Sequence, residues 1–164
     1  MKLKIITLLL VVFTISIYAQ EFEKGTIITK RYDTIKDVQI EKMNDSKSIL
    51  HINYIDADGL SQSPDIETIK CYTRGDEMFC RIYNSGEMVM AKKIASGEKL
   101  NLYLRDNSYY IEKVFDELIK VPSSNSKFSK VLSDFLSESP QIADKIKSQE
   151  LKDILEIVNL YNKG

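Results

Sequence analysis

The chain has no tryptophan, one histidine, two cysteines, three prolines and six glycines among its 164 residues. Each scarcity excludes some chemistry. With His51 the single histidine, a Ser-His-Asp or Cys-His mechanism or a multi-histidine metal centre must pass through that residue or fail. The two cysteines lack the Cys-x-x-Cys spacing of a dithiol redox motif, and no glycine-rich phosphate loop is present. An excess of positive charge is also lacking, with 23 Lys and Arg against 24 Asp and Glu. Nucleic acid selects basic surfaces because phosphate neutralisation supplies much of the affinity, so this balance argues against it and against an anionic membrane surface.

Long apolar runs are scarce as well, apart from one. Ile5 to Tyr18 is almost wholly apolar, Lys2 and Lys4 precede it, and Ala19 places a small residue where signal peptidase cuts. A spanning helix needs about 20 mostly apolar residues, and this run ends before Gln20, Glu21 and Glu23. A cleaved secretory signal over residues 1–19 fits better than an uncleaved anchor. No cysteine stands at the cut to carry a lipid. The expectation is an exported protein beginning at Gln20, not inserted in a membrane after cleavage. Losing Lys2 and Lys4 leaves 21 basic against 24 acidic residues, a net charge of −3. Residues 20–164 suit one domain with one core.

In an oxidising compartment an even cysteine count reads as a disulfide. If Gly75-Asp76 form a two-residue hairpin turn, Arg74 opposes Glu77, Thr73 opposes Met78, Tyr72 opposes Phe79, and Cys71 falls directly across from Cys80. That pairing predicts a structural bridge between Cys71 and Cys80, with two unbridged thiols as the alternative.

The periodicity predicts an α+β fold, with a β-rich part over 20–121 and a helical part over 122–164. Gly25 to Lys30 and Val38 to Met43 read as a hairpin, and Leu50, Ile52 and Tyr54 alternate with His51 and Asn53 as in a half-buried strand over Ser48 to Ile55. A loop follows at Asp58-Gly59 and Ser63-Pro64. Met88 to Ile94 fits a buried strand or a short helix, the strand being preferred, and with it the Ile66 to Tyr83 hairpin and the Leu100 to Leu104 and Tyr109 to Val114 hairpin complete an antiparallel meander or small barrel-like sheet. After Val121-Pro122 the period becomes 3.6, with Phe128, Val131, Leu132, Phe135 and Leu136 on one stripe. Ser139-Pro140 opens a second helix carrying Ile142 and Ile146, and Leu151, Ile154, Leu155, Val158 and Tyr161 mark a third. Residues 123–164 hold equal numbers of acids and bases, so these helices lack the cationic face of a membrane-surface segment.

Tyr103, Tyr109 and Tyr110 with Arg105 are the candidate ligand-binding residues, because flat rings beside a guanidinium suit a sugar or peptide. Cross-strand aromatic packing is the competing explanation. Asp56-Ala57-Asp58-Gly59 resembles the middle of a calcium loop, yet Tyr54 stands where the first carboxylate belongs, and an ordinary Asp-Gly turn explains it better. Asp65, Glu67 and Glu77 are acids that a fold could bring together for glycoside hydrolysis. No metal site, cofactor or catalytic residue is assigned.

Several short motifs recur in order along the chain: Gly25-Thr26-Ile27-Ile28-Thr29 with Asp33-Thr34, Ser63-Pro64-Asp65-Ile66, Gly97-x-x-Leu100-x-Leu102-Tyr103 with Tyr109-Tyr110-Ile111-x-Lys113, and Ile157-Val158-x-x-Tyr161-Asn162. Through them the chain resembles an uncharacterised family of secreted proteins of Gram-negative bacteria, whose module often precedes a small outer-membrane β-barrel. The resemblance implies an envelope location and transfers no catalytic residue. The resulting expectation is a periplasmic or secreted, non-enzymatic envelope module that binds a protein or glycan through the Tyr103/Tyr109/Tyr110 sheet face or a helix groove, without nucleic acid or cofactor. Its rival is a small hydrolase acting on envelope glycans or peptides through paired carboxylates.

Overall fold

The computed structural model describes residues 21–114 and 116–164, so the expected signal and its cleavage point lie outside the described residues. Within them the protein is α+β. One antiparallel sheet gathers the ten strands of the described residues. β1 (Phe22–Thr29) and β2 (Thr34–Glu41) form the first expected hairpin. β3 (Tyr54–Ile55) and β4 (Ser61–Gln62) are short additions to the β2 edge.

The chain then returns through a 3-10 turn at Ile66–Thr68 and lays β5 (Ile69–Arg74) on the free side of β1. From there β6 (Glu77–Asn84), β7 (Glu87–Ala95), β8 (Leu100–Arg105), β9 (Ser108–Lys113) and β10 (Leu118–Lys120) meander outward. The sheet is therefore two meanders sharing the β1–β5 pair, and the second curls until β10 approaches β6.

Turn chemistry explains the tight corners. Gly75 takes φ +53° at the first central position between β5 and β6, the place a II′ turn requires for glycine. Ser85-Gly86 and Asp106-Asn107 both have two consecutive positive φ values, the mark of a I′ turn. The β5–β6 register is the expected one throughout, and the Cys71–Cys80 disulfide joins the two strands. Closing so short a loop contributes about 2–3 kcal/mol.

One expected element is corrected. Ser48 to Ile55 is not a continuous strand: helix α1 (Asp45–Ser48) occupies its start and β3 only its last two residues. The Asn44 side chain accepts from the Lys47 N–H and caps α1, which is the local signal that overrides the apparent alternation. As a result Leu50 is exposed, while Ile49, Ile52 and Tyr54 are buried.

Register and the two-residue pleat assign side chains to faces. Ile27, Tyr72, Phe79, Lys92, Leu104 and Tyr109 are successive cross-strand partners and share one face. At one end of that face, Ile49 and Ile52 cover Ile27, Val38, Ile40, Tyr72 and Phe79. At the other end, Leu100, Leu102 and Ile111 pack under the C-terminal helices α2 (Asn125–Phe135), α3 (Pro140–Lys147) and α4 (Ile154–Lys163). Pro140 occupies the first turn of α3 behind the N-cap Ser139.

Among the described residues no helix covers the opposite face, yet Cys80, Ile82, Ala91, Tyr103 and Tyr110 are buried there together. The curl of β5 to β10 supplies the cover.

Candidate functional site

The helices do not seal their end of the sheet. A cleft of about 970 Å³ opens between the β9–β10 end and the N-terminal turns of α2 and α4. Tyr109, Val121, Phe128, Ile154 and Leu155 are among its apolar lining residues, and Ser123, Ser124 and Asn125 among its polar ones. Tyr109 is 39 % and Leu155 41 % exposed, so two large apolar surfaces face solvent inside one concavity. The volume falls in the range of small-ligand sites.

α2 begins without a side-chain cap at Ser124 and without an acid in its first turn. α4 is capped, with the Asp153 carboxylate accepting from the Glu156 N–H at 2.8 Å. Lys127 and Lys152 stand at the cleft, and neither is in an ion pair among the described residues. Lys120 also lines it, but its ammonium sits 5.9 Å from the Tyr110 ring centroid on the opposite face of the sheet.

The four candidate ligand residues do not make one platform. Tyr103 and Tyr110 are direct cross-strand partners, each 5 % exposed, on the face opposite Tyr109. Tyr103 donates from its hydroxyl to Glu112 at 2.7 Å, and Asn101 donates to the same oxygen at 3.1 Å. Burial, with Glu112 as its acceptor, raises the Tyr103 hydroxyl far above the usual phenol range. Lys93, facing the Tyr103 ring at 5.8 Å, is lowered by burial, which the charge of Glu112 partly offsets. Arg105 donates to the Met90 carbonyl at 2.6 Å and pairs with Asp106. Of the four, Tyr109 alone lines the cleft.

The other candidates resolve individually. His51 is exposed. In the loop after β3, Asp56 accepts from the amides of Leu60 and Asp58 and from the Gln62 side chain. These bonds, the Leu60 amide foremost, lower its pKa, and its oxygens serve the local turn. Asp65 caps the 3-10 turn by accepting from the Glu67 N–H. Glu77 joins the fully buried Arg74 to Lys92, which also reaches Asp45 of α1. Burial alone would raise Glu77, but bonds from Lys92 and Arg74 outweigh it and lower the carboxyl. A general acid of a glycosidase needs the reverse. Among the described residues no group of three or more His, Cys, Asp or Glu is gathered to hold a metal.

The sequence singles out neither Lys127 nor Lys152, and it places Leu155 on an apolar stripe without marking its uncovered side. A signal for the last was present: Ile154, Leu155, Ile157, Val158, Leu160 and Tyr161 are more apolar positions than one buried stripe of a ten-residue helix holds. Some had to remain outside, and Leu155 and Leu160 do.

The fold and the cleft together define an antiparallel α+β protein with an open groove between sheet and helices. Comparison with protein-family models, with curated proteins and with solved structures finds no match.

Proposed function

We propose that the chain is an exported module of the cell envelope that binds a protein or glycan partner at the cleft between sheet and helices, and does so without catalysis. The observation that carries this reading is the joint exposure of Tyr109 and Leu155 in a concavity built on strands and helices, since rigid elements hold a recognition surface better than loops do. Tyr109 is the contact ring, and the Tyr103–Tyr110 pair supports the sheet beneath it. The location rests on the apolar leader with its small residue at the cut, on the resemblance to secreted proteins, and on a disulfide that persists where thiols are oxidised. Among the described residues no helix is long and apolar enough to cross a membrane, which is compatible with that reading.

The experiment is a pull-down from envelope extract with the tagged exported protein and with Tyr109→Ser/Leu155→Ser. The expected outcome is a stoichiometric partner on the parent protein and its loss on the variant, with the circular dichroism of the two superimposable. Turnover of peptidoglycan or glycan substrates without any such partner contradicts the proposal.

A further inference from the structure

The cleft carries a charge asymmetry that narrows its occupant. Its lining carries three lysines, Lys120, Lys127 and Lys152, against one carboxylate, Asp153, and Lys127 and Lys152 lie in no ion pair among the described residues. The single carboxylate of the lining, Asp153, is engaged by the Glu156 amide at the start of α4. A chain with more acids than bases thus keeps two solvated, unpaired ammonium groups beside one groove. Between them the walls are aliphatic and aromatic, from Phe128, Ile154, Leu155 and Tyr109.

Resting on the binding role proposed above, we infer that the cleft takes an extended peptide segment bearing acidic and apolar side chains, the acids meeting Lys127 and Lys152 and the apolar groups lying against Leu155 and Phe128. The concavity is unsuited to a flat bilayer. The exposed Leu155 beside Ile154 gives a sugar nothing to stack on, whereas it matches a leucine-like side chain directly. Electrostatic complementarity of this kind sets specificity and encounter rate more than affinity.

Fluorescence anisotropy of the purified exported protein with a labelled peptide of alternating glutamate and leucine tests the inference. Peptides with lysine or serine in place of glutamate are the controls, and phosphatidylglycerol vesicles and polygalacturonate oligomers are the competitors. The glutamate peptide binds best, and added salt weakens it. Lys127→Ser/Lys152→Ser lowers affinity by about fivefold, as two partly exposed ion pairs allow. Lys127→Glu/Lys152→Glu inverts the ranking in favour of the lysine peptide, and Leu155→Ser weakens both peptides. All these positions are solvent-exposed, and Lys145→Ser on α3 leaves binding unchanged.

Equal binding of the three peptides, an unchanged ranking after charge reversal, or binding of vesicles or polygalacturonate with no response to the glutamate peptide overturns it. Failure of the peptide to bind, while the pull-down still recovers a partner sensitive to Tyr109 and Leu155, removes the ligand class and leaves the binding role standing.

Discussion

Glu77 sits between two cations of unequal burial. Arg74 is 1 % exposed and directs Nε and Nη2 to one Glu77 oxygen, while its Nη1 reaches the Ser48 hydroxyl at 2.9 Å and the Glu41 carbonyl at 3.2 Å. Lys92 bonds the other Glu77 oxygen at 2.6 Å. Beside them the Tyr72 hydroxyl donates to the Ser48 carbonyl at 2.7 Å, and burial raises its pKa well above the phenol range. Removing Glu77 would strand a buried guanidinium, which costs more than an exposed ion pair is worth.

Because the folded carboxyl of Glu77 is lowered from 4.5, its contribution is complete above that value and is lost as pH falls through the folded pKa. Glu77→Gln is therefore expected to cost about 1–3 kcal/mol at neutral pH and to make the acid limb of stability shallower. Urea unfolding between about pH 7 and pH 3 checks both. Glu138 and Asp56, also lowered, retain part of that limb in the variant.

At the scale of elements, two side-chain ties hold α4 in place. Asn162 near its end accepts from the Lys99 and Leu100 amides at 3.2 and 2.8 Å and donates to the Leu100 carbonyl at 3.0 Å. Gly97 leaves the space for it, since a Cβ there would overlap the Asn162 amide group. Tyr161 donates to Glu138 at 2.6 Å, and Lys113 of β9 pairs with the same carboxylate at 2.7 Å. Burial and that acceptor push the Tyr161 hydroxyl up to about 12. Asn162→Ala leaves the first backbone groups of β8 without their partner and is expected to lose about 2 kcal/mol, read as a lower urea midpoint. Gly97→Ala should act in the same direction by displacing the amide.

These ties explain why the helical end was legible as helices while its placement was not. The stripe through Leu132, Phe135 and Leu136 announces an apolar face, and Ser139-Pro140 announces a start. Which strands receive that face depends on pairs such as Gly97 with Asn162, 65 positions apart in the chain. The hairpins were legible for the opposite reason. Cys71 and Cys80 are nine residues apart, and a two-residue turn determines their register by local geometry. The strand expected over Ser48 to Ile55 misled because Ile49 and Ile52, three apart, were read through Leu50 and Ile52, two apart.

The whole molecule joins two covered regions of one sheet face, one under residues 44–52 and one under the three helices, with a third cluster closed by the curl of the opposite face. Along β8 Asn101 and Tyr103 alternate with Leu100, Leu102 and Leu104 and lie on the side away from the helices. They are nevertheless buried, because strand curvature is a property of the assembled sheet and leaves no mark in a single strand. For the same reason the tyrosines of one hairpin divide between two environments, with Tyr109 open in the cleft and Tyr110 enclosed.

The proposed role requires that this body work outside the cytoplasm, and its N-terminus with its thiol state reports that most directly. Intact mass and N-terminal sequencing of protein released by osmotic shock, without reductant, are expected to give a chain starting at Gln20 with Cys71 and Cys80 joined. A chain beginning at Met1, recovered from the cytosol with both thiols free to alkylation, would contradict the account.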